Sequence, residues 1–257
     1  MKLKLFCAAL ALLLLTACTG PKMCVLPTPP PTPTPAPPVE TPPAASLRCR
    51  IVDGAEDGAL LLAAQEDGGV YSLGTQGLEI TLDGAPAQAA DLRDGMLVEV
   101  FYGGAVQETY PLGFSGATAI SASTEGLNDL CGLYLQVLED LWGTDDGLNG
   151  GIDKIGMDLS QLTGLTGSEK SALAWRFAGL REKELVTGTW QELVDAGYID
   201  GENLIWEDGL FFSLKGGAEG FDAEKWRGGL GAYFFGDCTA AQEGGVWSYT
   251  VGSHAIA

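Results

Sequence analysis

From Arg48 to about Ser123 the chain reverses direction every few residues. The segments RCRIVDG, ALLLAAQ, VYSLG, LEITLDG, MLVEVFYGG, AVQETYPLG and ATAISAS alternate apolar with polar residues, and Asp57-Gly58, Asp83-Gly84, Asp94-Gly95 and Gly103-Gly104 punctuate them. A period of two puts one side of each segment on a core and the other in solvent, while the Asp-Gly and Gly-Gly pairs supply turns. No helical period occurs here. So many short antiparallel strands in so short a stretch predict a small closed or partly open β-barrel, because closure removes exposed strand edges.

From Glu125 the pattern switches. Leu127, Leu130, Tyr134, Val137, Leu138 and Leu141 fall at helical spacing and predict an amphipathic helix ending at Gly143. IDKIGMDLS follows as a strand. TGSEKSALAWRFAGL opens with a Thr166-x-x-Glu169 capping box, and TWQELVDAGYI is a further short helix. The last third returns to strands: LIWEDGLFFSLKG as a hairpin about Asp208-Gly209, then GAYFFGDCTAA and VWSYTVGSHAI as paired strands, with FDAEKW as a helical turn opened by Asp222. Helices packed on an antiparallel sheet are expected.

The N-terminus has a different physics. Lys2 and Lys4, the apolar run Leu5 to Leu15 and the small exit Thr16-Ala17 make the three regions of a secretory signal. The run is too short to cross a bilayer, which takes roughly 20 apolar residues. Leu15-Thr16-Ala17-Cys18 resembles the lipobox of bacterial lipoproteins, and the resemblance implies lipidation of Cys18 and a mature chain anchored outside the cytoplasm. Two long acyl chains at about 0.8 kcal/mol per buried CH₂ make such an anchor stable. The proline-rich stretch VLPTPPPTPTPAPPVETPPAA then has no apolar period and predicts an extended polyproline II stalk, rising about 3.1 Å per residue.

Two further resemblances cover the rest. DGMLVEVFYGGAVQETYP, Asp94 to Pro111, is similar to a recurring phrase of OB-like domains in uncharacterised lipoproteins of Gram-positive bacteria, with Gly103 where that family usually has an aspartate. LYLQVLEDLW, FDAEKWRGGLGAYFF and VWSYTVG resemble a second uncharacterised domain of clostridial lipoproteins. They imply a fold and a location, and no catalytic residues. The expected organisation is α+β: a lipoprotein signal peptide at 1–17, a lipid-anchored linker at 18–47, a small antiparallel OB-like barrel at 48–123, and a helix-plus-antiparallel-sheet domain at 125–257.

Charge limits the partners. The chain carries a formal net charge of −20. Nucleic acid and anionic lipid are gripped by Lys and Arg, and the barrel segment has only Arg48, Arg50 and Arg93, so no nucleic-acid partner is expected. The cysteines number six. Cys7 leaves with the signal and Cys18 carries the lipid, so Cys24, Cys49, Cys131 and Cys238 remain, open to three pairings and with no CxxC. Cys131 lies in a helical apolar stripe, as a buried thiol would.

Chemistry-bearing patterns are sparse, and neither a catalytic group nor a metal or other cofactor is expected. His254 is the only histidine. GLTGSEKS lacks the adjacent glycine and lysine of a P-loop, and GFSGA lacks the last glycine of a nucleophile elbow. TDDGLNGGID offers Asp145, Asp146, Asn149 and Asp153 as oxygen ligands, but Gly147 within it and Gly156 beyond it stand where a calcium loop needs oxygen. Aromatic residues crowd the C-terminal third instead. Strand alternation puts rings on both faces of its sheet, one face for the core, and Trp206, Tyr233, Trp247 and Tyr249 are the candidates for a ligand-facing cluster. The expected function is a non-catalytic binding module of the cell envelope, tethered to the membrane and engaging an envelope protein or a small ligand. The alternative is a small envelope hydrolase using carboxylates such as Glu207 or Asp237.

Overall fold

The computed structural model describes residues 45–243 and 245–257. The signal peptide, Cys18, Cys24 and the proline-rich tract lie outside the described residues. The linker expected at 18–47 overlaps the first strand, which already begins at Ala45.

Nine strands form the first sheet: β1 (Ala45–Asp53), β2 (Ala59–Ala64), β3 (Val70–Gly74), β4 (Glu79–Leu82), β5 (Ala85–Ala87), β6 (Leu97–Tyr102), β7 (Ala105–Gln107), β8 (Leu112–Ser115) and β9 (Ala119–Ser123). Their order is β5-β4-β9-β6-β1-β2-β3-β8-β7. Period-two burial sets the core face, with Cys49, Ile51, Leu62, Val98, Val100 and Ile120 in one cluster. The turns depend on glycine where backbones meet: at Gly54 φ is +91° and a Cβ would lie 2.1 Å from the Ala59 carbonyl oxygen. Ile80 of β4 and Phe114 of β8, from opposite halves of the sheet, share the same cluster, so the sheet curls around its own core.

It does not close. Its outer strands β5 and β7 each pair with one neighbour, and the β3–β8 and β4–β9 pairs are parallel. The small antiparallel OB-like barrel, closed or partly open, expected from the sequence is therefore corrected to an open mixed sheet. Closure would remove the strand edges, and this chain blunts them instead. Both outer strands are only three residues long, and β5 carries Pro86.

The remainder comprises α1 (Leu130–Gly143), β10 (Lys154–Asp158), α2 (Gly167–Gly179), β11 (Glu184–Thr187), α3 (Trp190–Asp195), β12 (Gly209–Gly217), β13 (Gly220–Gly228), β14 (Gly231–Glu243), β15 (Val246–Thr250) and β16 (Ser253–Ile256). Each helix starts on a side-chain cap: Asp129 accepts from the Gly132 N–H, and Thr166–Glu169 and Thr189–Glu192 are capping boxes. The sheet order is β11-β10-β12-β13-β14-β15, with β16 continuing beside β14.

This sheet is mixed rather than antiparallel, since β10 runs parallel to both β11 and β12. FDAEKW is part of β13 and not a helical turn, because its ladder bonds to β12 and β14 override local preference. Gly209 opens the single strand β12 and is not a hairpin turn. With strand at 46% and helix at 19%, the protein is mainly β rather than a balanced α+β.

The second sheet buries both faces. Tyr134, Leu138, Leu141 and Phe177 of α1 and α2 pack on Ile155, Phe212 and Phe235, while Leu193, Trp206, Phe211 and Trp226 fill the other side. A third cluster joins the first sheet to the helices over the second: Val52, Leu61, Ala63 and Val70 meet Cys131 of α1 and Ala172 of α2. Beside it Arg50 Nε donates to Glu169 Oε1 at 2.7 Å, and Ser168 Oγ donates to the Ala64 carbonyl at 2.6 Å. Cys49, Cys131 and Cys238 are free and buried. Among the described residues no helix is long and apolar enough to cross a membrane.

Candidate functional site

The segment joining the sheets sets up the site. The Asn128 N–H donates to the Gly95 carbonyl at 3.0 Å, and a Cβ on Gly95 would lie 2.5 Å from the Asp129 nitrogen. This contact, open only to glycine, holds the Asp94 turn against the start of α1. Alongside runs β15, whose Trp247 indole N–H donates to Asn128 Oδ1 at 2.8 Å and whose Tyr249 hydroxyl donates to Asp140 on α1.

Between these parts lies a cleft of about 630 Å³. The first sheet contributes Glu56, Leu92, Arg93 and Asp94; the joining segment and α1 contribute Leu127, Asp129, Leu133 and Gln136; Gly245 to Tyr249 line it consecutively. Its walls are therefore aromatic and aliphatic with carboxylates set among them.

Two of those carboxylates are perturbed. Burial pushes Asp129 up to about 6, with the Asp94 and Asp53 charges adding and the Gly132 N–H opposing. Burial also raises Asp94, against the pull of the Ala55 N–H that donates to its Oδ1 at 3.1 Å. The cleft thus holds a proton on Asp129 more readily than a free carboxylate would, and offers its acids to a positive group. No group of three His, Cys, Asp or Glu among the described residues is placed to hold a metal ion.

The four aromatic candidates separate. Trp247 and Tyr249 line the cleft. Trp206 does not reach a surface: it is 0% exposed, its ring fills the far face of the second sheet, and its N–H donates to Asp208 Oδ1 at 3.0 Å. It is a core residue and is removed from the candidate site. Tyr233 is half-buried against Phe235 and His254, away from the cleft. Nor do Glu207 and Asp237 line it: the first lies on an exposed turn, and the second is exposed at a left-handed position with φ of 50°. His254 is exposed on β16.

Asp94, Asp129 and Glu56 were missed as site residues. Asp94-Gly95 reads as a turn, and Asp129 precedes a helix as caps do, so each has a local explanation that hides its place in a cleft. Comparison of the chain with protein families, characterised proteins and solved structures finds no match.

Proposed function

We propose that this chain is an extracytoplasmic lipoprotein anchored to the cell membrane through Cys18, and that its folded part is a non-catalytic binding module of the cell envelope. The anchor rests on the cationic start, the short apolar core and the lipobox-like Leu15 to Cys18. The binding reading is carried by one observation, the cleft lined by Trp247 and Tyr249 between the two sheets. Its volume falls in the range of about 300–1,000 Å³ usual for ligand sites, and Trp and Tyr are the residues in which binding energy concentrates.

The test fills the cleft without touching the core. Gln136 is exposed on α1 at its wall. Gln136→Trp leaves the melting temperature unchanged and abolishes capture of the ligand or partner by the full chain in crosslinking from intact cells; undiminished capture overturns the reading. The hydrolase alternative is favoured by Asp94 and Asp129 in one cleft, both raised, which is the arrangement of an acid with a second carboxylate. It requires turnover of a glycan, ester or peptide that Asp94→Asn removes.

A further inference from the structure

One wall of the cleft is a strand edge. Side chains of a strand alternate between faces, so a groove lined by a single face of β15 would touch every second residue. Here Gly245, Val246, Trp247, Ser248 and Tyr249 all line it. The ladder shows which backbone groups lie on the open side. Ala240 faces Tyr249 across the β14–β15 pair, yet the Ala240 N–H donates to the Ala218 carbonyl at 2.8 Å, away from β15. Ala240–Tyr249 is therefore a non-hydrogen-bonded pair, and Gln242–Trp247, two residues along, is another. The N–H and C=O groups of Trp247 and Tyr249 point away from β14, on the open edge of a strand that lines the cleft, and among the described residues no backbone group pairs with them.

The same lining holds Glu56, Asp94 and Asp129, and among the described residues Arg93 is its only basic side chain. We propose that the cleft takes an extended basic peptide segment of a partner protein, which adds to the second sheet as a strand beside β15 and sets lysine or arginine side chains against Glu56, Asp94 and Asp129. Main-chain bonds to Trp247 and Tyr249 hold the peptide, and the side chains on alternate positions are selected by the acids. The net charge of −20 draws cationic segments to the surface and repels a second copy of the same chain.

This inference rests on the cleft being the binding site and names its ligand class. The probe is a fluorescent VKVKVKV peptide, titrated into the full chain by fluorescence anisotropy beside VEVEVEV and a fully N-methylated VKVKVKV. The last keeps every charge and loses every backbone N–H donor. Binding of VKVKVKV is expected, with each of the other two weaker by about tenfold or more, as losing main-chain pairing or matched charge implies. Asp94→Asn with Asp129→Asn, which keep the turn and the helix cap, weakens VKVKVKV by about fivefold or more and leaves VEVEVEV unaffected or tighter.

Equal affinity for the N-methylated peptide overturns the strand addition. Equal affinity for VEVEVEV overturns the basic specificity. Displacement of the peptide by lysine amide at similar concentration makes the cleft a small-cation pocket, and a concentration-dependent dimer that the peptide does not dissociate gives the edge to a second copy; either result overturns the proposal. If VKVKVKV fails to bind while capture sensitive to Gln136→Trp persists, the peptide inference falls and the binding-module reading stands. If both fail, both fall.

Discussion

Single residues carry charge where the fold can least accommodate it. Asp129 caps α1 and lines the cleft, and its carboxyl titrates near 6 in the folded chain against 3.8 otherwise. Because the folded state then holds the proton more tightly than the unfolded one, the contribution of Asp129 is full below about pH 4 and is lost as pH rises through about 6, up to about 3 kcal/mol in all. Asn caps a helix as well as Asp. Asp129→Asn is therefore expected to remove this fall between pH 4 and 7, and to stabilise the protein at pH 7, in urea unfolding compared with wild type at both pH values. An unchanged pH slope would show that Asp129 is ionised normally. Lys225 is the opposite case. It is 0% exposed, and its ammonium donates to the carbonyls of Trp142, Thr144 and Asp145 at 3.2, 2.6 and 3.1 Å. α1 has no basic residue in its last turn, so a lysine from β13 closes it instead. Lys225→Met orphans those carbonyls and should cost about 3 kcal/mol, read in the same urea experiment. A loss under 1 kcal/mol would mean that water replaces the ammonium.

At the scale of elements, two glycines on neighbouring strands make room for one indole. A Cβ on Gly156 of β10 would lie 2.6 Å from Trp206 Cζ3, and one on Gly209 of β12 would lie 1.9 Å from Trp206 Cε2. Both contacts are with a fully buried ring that has nowhere to move. Gly156→Ala is expected to lower stability by about 1–3 kcal/mol through overpacking. Gly179, the exposed last residue of α2, has open space around it, and Gly179→Ala should instead gain about 0.5 kcal/mol by stiffening the unfolded chain. Thermal melts of the two variants should move in opposite directions, and a common direction would sink the argument. The capping box of α2 could be read from four residues, whereas β13 could not. FDAEKW has a helix-start residue and helix-forming neighbours, and only the flanking strands make it extended. The parallel placement of β10 is equally invisible locally, because a strand's direction is set by the crossover through α2.

For the whole molecule the question is whether two sheets make one cooperative body. The cluster of Val52, Leu61, Ala63, Val70, Cys131 and Ala172 and the Arg50–Glu169 pair, with side chains 14% and 5% exposed, span the boundary. All the tryptophans lie at Trp142 or beyond, and only Trp175, packed on the boundary cluster and edge-on to Tyr110, touches the first half, so in a Trp175→Phe background indole fluorescence reports the second sheet. Leu62→Ala removes a fully buried side chain from the first core and should cost about 2–5 kcal/mol. Shared cooperativity predicts that the urea midpoint seen by tryptophan fluorescence falls with it. An unshifted fluorescence midpoint would establish two independent units.

What the sequence alone determined here is local chemistry: strand alternation between Asp-Gly turns, the capping box at Thr166 and Glu169, and an apolar stripe along α1. These depend on neighbours a few residues away, which the linear order displays. Sheet openness, strand direction, the burial of Trp206 and Lys225, and the meeting of Asp94, Asp129 and Trp247 in one cleft were decided only in the tertiary structure. Each depends on residues brought together from distant parts of the chain, as Asn128 Oδ1 meets the Trp247 indole, and period and propensity carry no record of such distant pairings.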